Sequence, residues 1–210
     1  MDNNETKGLL DKAAFIISVV FHPLLMPLYG MAMIFSGPTL MSYLPFQVKK
    51  LLFLIVLINN VLLPLSLMPF LKYKNVISSW SIENRHERII PLLMTTLFYA
   101  STSFIIFKFP IPLFFKSFLL GAFFISLAVT LINFWWKISI HSVGAGALVA
   151  LIFILSLRLD SSLVWSLISA IIIAGLVMSA RLRLNTHNPR QVWYGFMLGY
   201  VGLGLFVWFF

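Results

Sequence analysis

The sequence predicts an all-α integral membrane protein, a bundle of about six to seven transmembrane helices, on three observations. Of the 210 residues, 60% are hydrophobic and 10% charged, with a mean hydropathy of +0.99, far less polar surface than a water-soluble domain of this length requires. The apolar residues fall in continuous runs long enough to cross a bilayer. Those runs lack the alternation of a membrane β-barrel, and in lipid only helices or closed barrels satisfy their own backbone groups.

Taken in order, residues 1–9 read as a short polar tail, and 10–36 as the first apolar segment, interrupted by His22-Pro23 and Pro27 and so tilted or kinked. The start, Met1-Asp2-Asn3-Asn4-Glu5, lacks the positive region of a secretory signal, so this segment is expected to be retained. Residues 37–48 read as a loop; segment two, 49–72, carries Asn59-Asn60 and Pro64. The longest polar loop, 73–88, ends in Arg85-His86-Glu87-Arg88, and segment three follows over 89–108 with Pro91 in its first turn. Segment four runs to Trp135-Trp136, an expected interfacial anchor, and Lys137 follows it. Segment five, 138–157, opens on Ser139 and His141; a turn at Arg158 leads to segment six, 162–180. The polar stretch 180–191 precedes segment seven, 191–210, where Gly195-x-x-x-Gly199 permits close helix approach. The whole, 1–210, reads as a single membrane domain.

Composition also excludes several classes. There is no cysteine, hence neither a disulfide framework nor a thiolate metal site. No acidic cluster has metal-ligand spacing, and no metal or other cofactor is implied. The net charge of +9 suits anionic partners or an anionic lipid surface, whereas the scattered basic residues form no nucleic-acid patch.

Helix parity gives the first functional argument. Two helices separate the Arg85–Arg88 loop from Lys137–His141, and two more separate that stretch from Arg181–His187, so all three emerge on one membrane face. Pooled there are Arg85, His86, Arg88, Lys137, Ser139, His141, Arg181, Arg183, His187 and Arg190. Several guanidinium groups suit a phosphate. Two histidines can supply a nucleophile and a general acid. The chemistry this points to is metal-free phosphoryl transfer through histidine. About ten Lys and Arg lie on this face against about five opposite, but half of the ten are candidate site residues, so the side it faces stays open.

Arg181-x5-His187-x3-Gln191, with Gly195 and Gly199 following, resembles the third signature of the type 2 phosphatidic acid phosphatase (PAP2-like) superfamily, S-R-x5-H-x3-D. Ile138-Ser139-Ile140-His141 resembles its second, P-S-G-H, and Arg85-x-x-Arg88-x-x-Pro91 loosely its first, K-x6-R-P. The resemblance covers residues 80–205 and leaves 1–75 as N-terminal helices outside the motifs. It implies a phosphatase acting on a lipid phosphate, either a phospholipid such as phosphatidic acid or a polyprenyl (di)phosphate, and residence in the bacterial inner (plasma) membrane. His187 would be the nucleophile, His141 the general acid, and Arg181 and Ser139 the holders of the phosphoryl oxygens, with Arg88 and Arg85 serving the first signature. Lys137 and Arg183 join the phosphate-binding candidates on charge and position alone.

The chain departs from the pattern at five positions. Gln191 stands where the family has the Asp that orients the histidine; its neutral carbonyl stabilises an imidazolium less well. Ala180 replaces Ser, Ile138 and Ile140 replace Pro and Gly, and the first signature's Lys is missing. A catalytically inactive lipid-phosphate binding or transport protein is therefore the alternative. A third reading is a transporter with a polar pathway at His22 and Asn59-Asn60, residues otherwise expected to bond between helices or repair backbone near proline. The oligomeric state is not legible.

Overall fold

The computed structural model describes residues 3–37, 39–80, 82, 84–158 and 163–209, with side chains from Gly8 onward. Among these residues there is no strand, and seven segments are long and apolar enough to cross a membrane. The first span, Gly8–Ser36, is two helices, α1 (Asn3–Val20) and α2 (Met26–Ser36), joined by a single 3-10 turn at Pro23–Leu25. Pro23 has no N–H to continue α1, and His22 caps the new turn by accepting from the Leu24 N–H. The second span is α3 (Phe46–Leu57) and α4 (Leu63–Tyr73), joined by a π turn at Ile58–Leu62. Then come α5 (Ile89–Phe107), α6 (Leu113–Asn133), α7 (Ile140–Arg158), α8 (Val164–Arg183) and α9 (Pro189–Phe209).

Three boundaries differ from the sequence reading. Helix α1 starts at Asn3, within the expected polar tail: no proline stands in residues 3–9, and the helix runs through Gly8. Helix α6 stops at Asn133, short of the tryptophan pair, so Lys137 follows a turn and not a helix end. Helix α8 runs on to Arg183. Arginine and leucine are good helix formers, and cations in a last turn oppose the negative end of the helix dipole. It ends where Asn185 takes a left-handed φ of 52°. The turn expected at Arg158 falls in the last turn of α7 and on residues 159–162, which lie outside the described residues, as does Pro38 of the 37–48 loop.

Helix α7 is the hub. Of its span 61% is buried, against 44% or less for the other six. It packs on α9, α8 and α2, while α5 pairs with α6, α6 with α9, and α1 with α8. The α7–α9 approach is set by glycine. A Cβ on Gly199 would sit 1.9 Å from the Val143 carbonyl oxygen, and one on Gly146 would sit 2.1 Å from that of Phe196, so the two backbones touch. Hydroxyls join α5 to α6 through Thr96, which lies 2.9 Å from Ser126 and 2.8 Å from Thr130. Asn60 accepts from Thr102 across the π turn, as expected of an intramembrane amide.

Gly199→Ala should force α7 and α9 apart and lower stability by about 1–3 kcal/mol, read as the unfolding midpoint in detergent. Gly175→Ala on α8, where an added Cβ meets open space, should leave that midpoint unchanged or raise it.

Candidate active site

The short connection between α8 and α9 carries the central histidine. Asn188 and Gln191 form a reciprocal cap on α9. The Asn188 side chain accepts from the Gln191 N–H at 2.9 Å, and Gln191 Oε1 accepts from the Asn188 N–H at 3.3 Å, with Pro189 at the first helical position. The same Gln191 Oε1 lies 2.9 Å from His187 Nδ1. A carbonyl oxygen can only accept, so His187 carries its proton on Nδ1 and keeps the Nε2 lone pair for reaction. Gln191 therefore both starts the helix and fixes the tautomer.

His187 lines a cavity of about 440 Å³ together with Arg88, His141, Arg181 and His22. No carboxylate is among the described residues of its wall, and most of the remainder is apolar, including Met68, Tyr99, Phe118, Leu151 and Leu203. The volume suits a small-ligand site. Arg88, Arg181 and His187 are only 7%, 9% and 7% exposed. Burial holds the His187 ring down to about pKa 3; the Gln191 bond opposes this, while Arg88, Arg181 and Lys137 press the same way as burial. The ring is thus neutral, and nucleophilic, at neutral pH.

Each flanking element delivers one group. Arg88 sits in the 3-10 turn His86–Arg88 before α5, its Nε donating to the Ile82 carbonyl at 2.8 Å. Arg181, in the last turn of α8, donates to Ser18 Oγ of α1 at 3.3 Å, and its Nε is buried without a hydrogen-bond partner. His141, at the start of α7, sets its Nε2 3.2 Å from the Ser18 carbonyl, so Nε2 carries the proton there.

The remaining candidates sit apart from the cavity wall. Ser139 is fully buried. Its hydroxyl accepts from Ser142 at 2.9 Å, and its N–H donates to the Gln191 carbonyl at 3.2 Å, tying the start of α7 to the first turn of α9. Arg85 is bonded to the Trp135 carbonyl, while Asn133 donates to the Arg85 carbonyl at 3.0 Å, so this arginine fastens the α5 entry to the α6–α7 turn. Arg183 pairs with Asp11 of α1 at 2.6 Å. Lys137 is half-buried, near enough for its charge to act on His187. Two residues of α1 and its kink escaped the pooled set, Ser18 and His22. A histidine beside a proline within a membrane span was the available signal for the second.

A family model described as the PAP2 superfamily matches residues 133–210, from the end of α6 through α9. It takes in His141, Arg181, His187 and Gln191 and leaves out Arg88 and the first two spans. No curated protein and no solved structure matches the chain.

Because the folded His187 pKa lies below its unfolded value near 6.5, the unfolded chain binds the extra proton and stability falls as pH drops from about 6.5 towards 3. His187→Asn should lose less stability than wild type over that window, measured by paired unfolding midpoints at pH values near 7 and 4.

Proposed function

We propose, from the premise that residues 133–210 are PAP2-like, that the protein is a membrane phosphatase. It removes phosphate from a lipid phosphate, either a phospholipid or a polyprenyl (di)phosphate, through a phosphohistidine at His187 and without a metal. The observation that carries the reading is a cavity with a tautomer-fixed neutral histidine, two buried arginines and no carboxylate in its described wall, continuous with an apolar interior. Such a cavity suits an anionic head joined to an apolar tail. Residues 80–205 would form the phosphatase core, and a bacterial plasma membrane would be its site of action.

In this reading Arg181 and Arg88 hold the phosphoryl oxygens and neutralise the charge that develops on them. His187 Nε2 attacks phosphorus, forming the P–N bond as the ester P–O bond breaks. His141, its Nε2–H held by the Ser18 carbonyl, takes on Nδ1 the proton that a phosphate monoanion brings in and passes it to the leaving oxygen. Water then attacks phosphorus and returns a proton to His141. The P–N bond breaks and phosphate leaves. Ser139 acts through position, by holding the start of α7 against the first turn of α9.

The neutral Gln191 favours one second reading, a lipid-phosphate binder with little turnover, since a carboxylate would stabilise the charged ring better. The test is inorganic phosphate release from a panel of phosphatidates and polyprenyl phosphates with EDTA present. The phosphatase reading expects release that falls at least a thousandfold in His187→Ala; binding without release would favour the second reading. Gln191→Glu, isosteric and equally able to cap α9, should raise kcat about tenfold or more and raise the His187 pKa. An unchanged rate would mean that Gln191 does not limit catalysis.

A further inference from the structure

The kink in the first span brings a residue from outside the PAP2-like stretch into the cavity. Pro23 ends α1, and His22 turns extended (φ −65°, ψ 139°) to cap the single turn that follows. Its Nδ1 accepts from the Leu24 N–H at 3.3 Å, so the neutral ring carries its proton on Nε2. The ring lines the cavity and stands edge-on to His141, with centroids 5.4 Å apart and planes at 82°. One helical turn earlier, Ser18 accepts from Arg181 with its hydroxyl and from His141 with its carbonyl. The α1–α8 contact thus holds Ser18 and His22 against two groups of the site.

Counting donors sharpens the point. His187 has committed its Nδ1–H to Gln191, and His141 its Nε2–H to Ser18. Among the described residues no group accepts from His22 Nε2–H. The buried Arg181 Nε has no acceptor either, and no described carboxylate lines the cavity to supply one. The buried Arg181 Nε, left without an acceptor, costs free energy that an entering anion repays through a charge-assisted hydrogen bond, and the half-buried His22 ring offers its Nε2–H to the same cavity.

We infer that His22 is a phosphate-binding residue, its Nε2–H donating to the phosphoryl group that Arg181 and Arg88 hold, so that the N-terminal hairpin completes the anion site. The identity of the anion rests on the phosphatase reading; the donor role of His22 does not. The bland alternative is that His22 only caps the Pro23–Leu25 turn, and substitution can separate the two. His22→Asn keeps a strong capping acceptor and removes the ring donor. His22→Gln reaches towards the Nε2 position with an amide N–H.

The experiment uses the full chain in nanodiscs. It measures the dissociation constant for inorganic phosphate by calorimetry, KM and kcat for a phosphatidate, and the unfolding midpoint without phosphate. His22→Asn should raise the phosphate dissociation constant and KM about ten- to a hundredfold with an unchanged unliganded midpoint. His22→Gln should stay within about threefold of wild type. Should the Asn variant fail to fold, His22→Ser, another capping residue without the ring, takes its place. Wild-type affinity in a folded His22→Asn or His22→Ser protein overturns the assignment alone. Wild-type protein that binds phosphate through His22 but never releases it from lipid supports the assignment and overturns the phosphatase reading. Wild-type protein that neither binds nor releases phosphate overturns both.

Discussion

The hydrogen bond from the Ser139 N–H to the Gln191 carbonyl joins the entry of α7 to the first turn of α9, and the rest of the site hangs on it. It forms because glycines let the two helices approach to backbone contact; a Cβ on Gly195 would sit 2.7 Å from the Ser139 carbonyl oxygen. Two residues after Ser139 comes His141, and four residues before Gln191 comes His187. One short register thus sets both histidines relative to each other. Further along the same crossing, Gly199 and Gly146 continue the contact, so α9 and α7 stay in backbone contact along its length.

Around that unit the free-energy problem is electrostatic. Two guanidinium groups are almost wholly buried inside an apolar bundle, and leaving a buried charge unanswered costs several kcal/mol. The Ser18 hydroxyl takes Arg181, whose Nε is left without a hydrogen-bond partner, and the Ile82 carbonyl takes Arg88. In the proposed reading an anion would answer the Arg181 Nε. This burial argues against an anchor on lipid headgroups, which would leave the arginines exposed, and supports the proposed anion site. The same burial keeps His187 neutral, so one environment both calls for an anion and supplies a lone pair to attack it.

Much of this was legible in the chain. Long apolar runs predicted the helices, their parity predicted that three polar stretches share a face, and Arg88, His141, Arg181 and His187 do line one cavity. The Arg181–His187–Gln191 spacing was legible because it is local, spanning one helix end and the next helix start. Charge alone could not sort the other arginines. Arg183 meets Asp11 and Arg85 meets the Trp135 carbonyl, partners fixed by tertiary packing. Ser18 was invisible for the same reason, since its bond to Arg181 spans 163 residues. His22 was visible as an intramembrane histidine. It repairs the break at Pro23, as expected, but its facing of the cavity depends on the kink angle, which no local pattern encodes.

The central claim is that His187 takes the phosphoryl group, and trapping the intermediate tests it most directly. The purified protein would be mixed with a 32P-labelled lipid phosphate, quenched in alkali, where an N-phosphorylated histidine survives and phosphoesters of serine do not, and digested for mapping. The account predicts acid-labile label on the peptide that contains His187 and none in His187→Asn. Label on another residue, or phosphate release with no labelled protein at any time point, would contradict it.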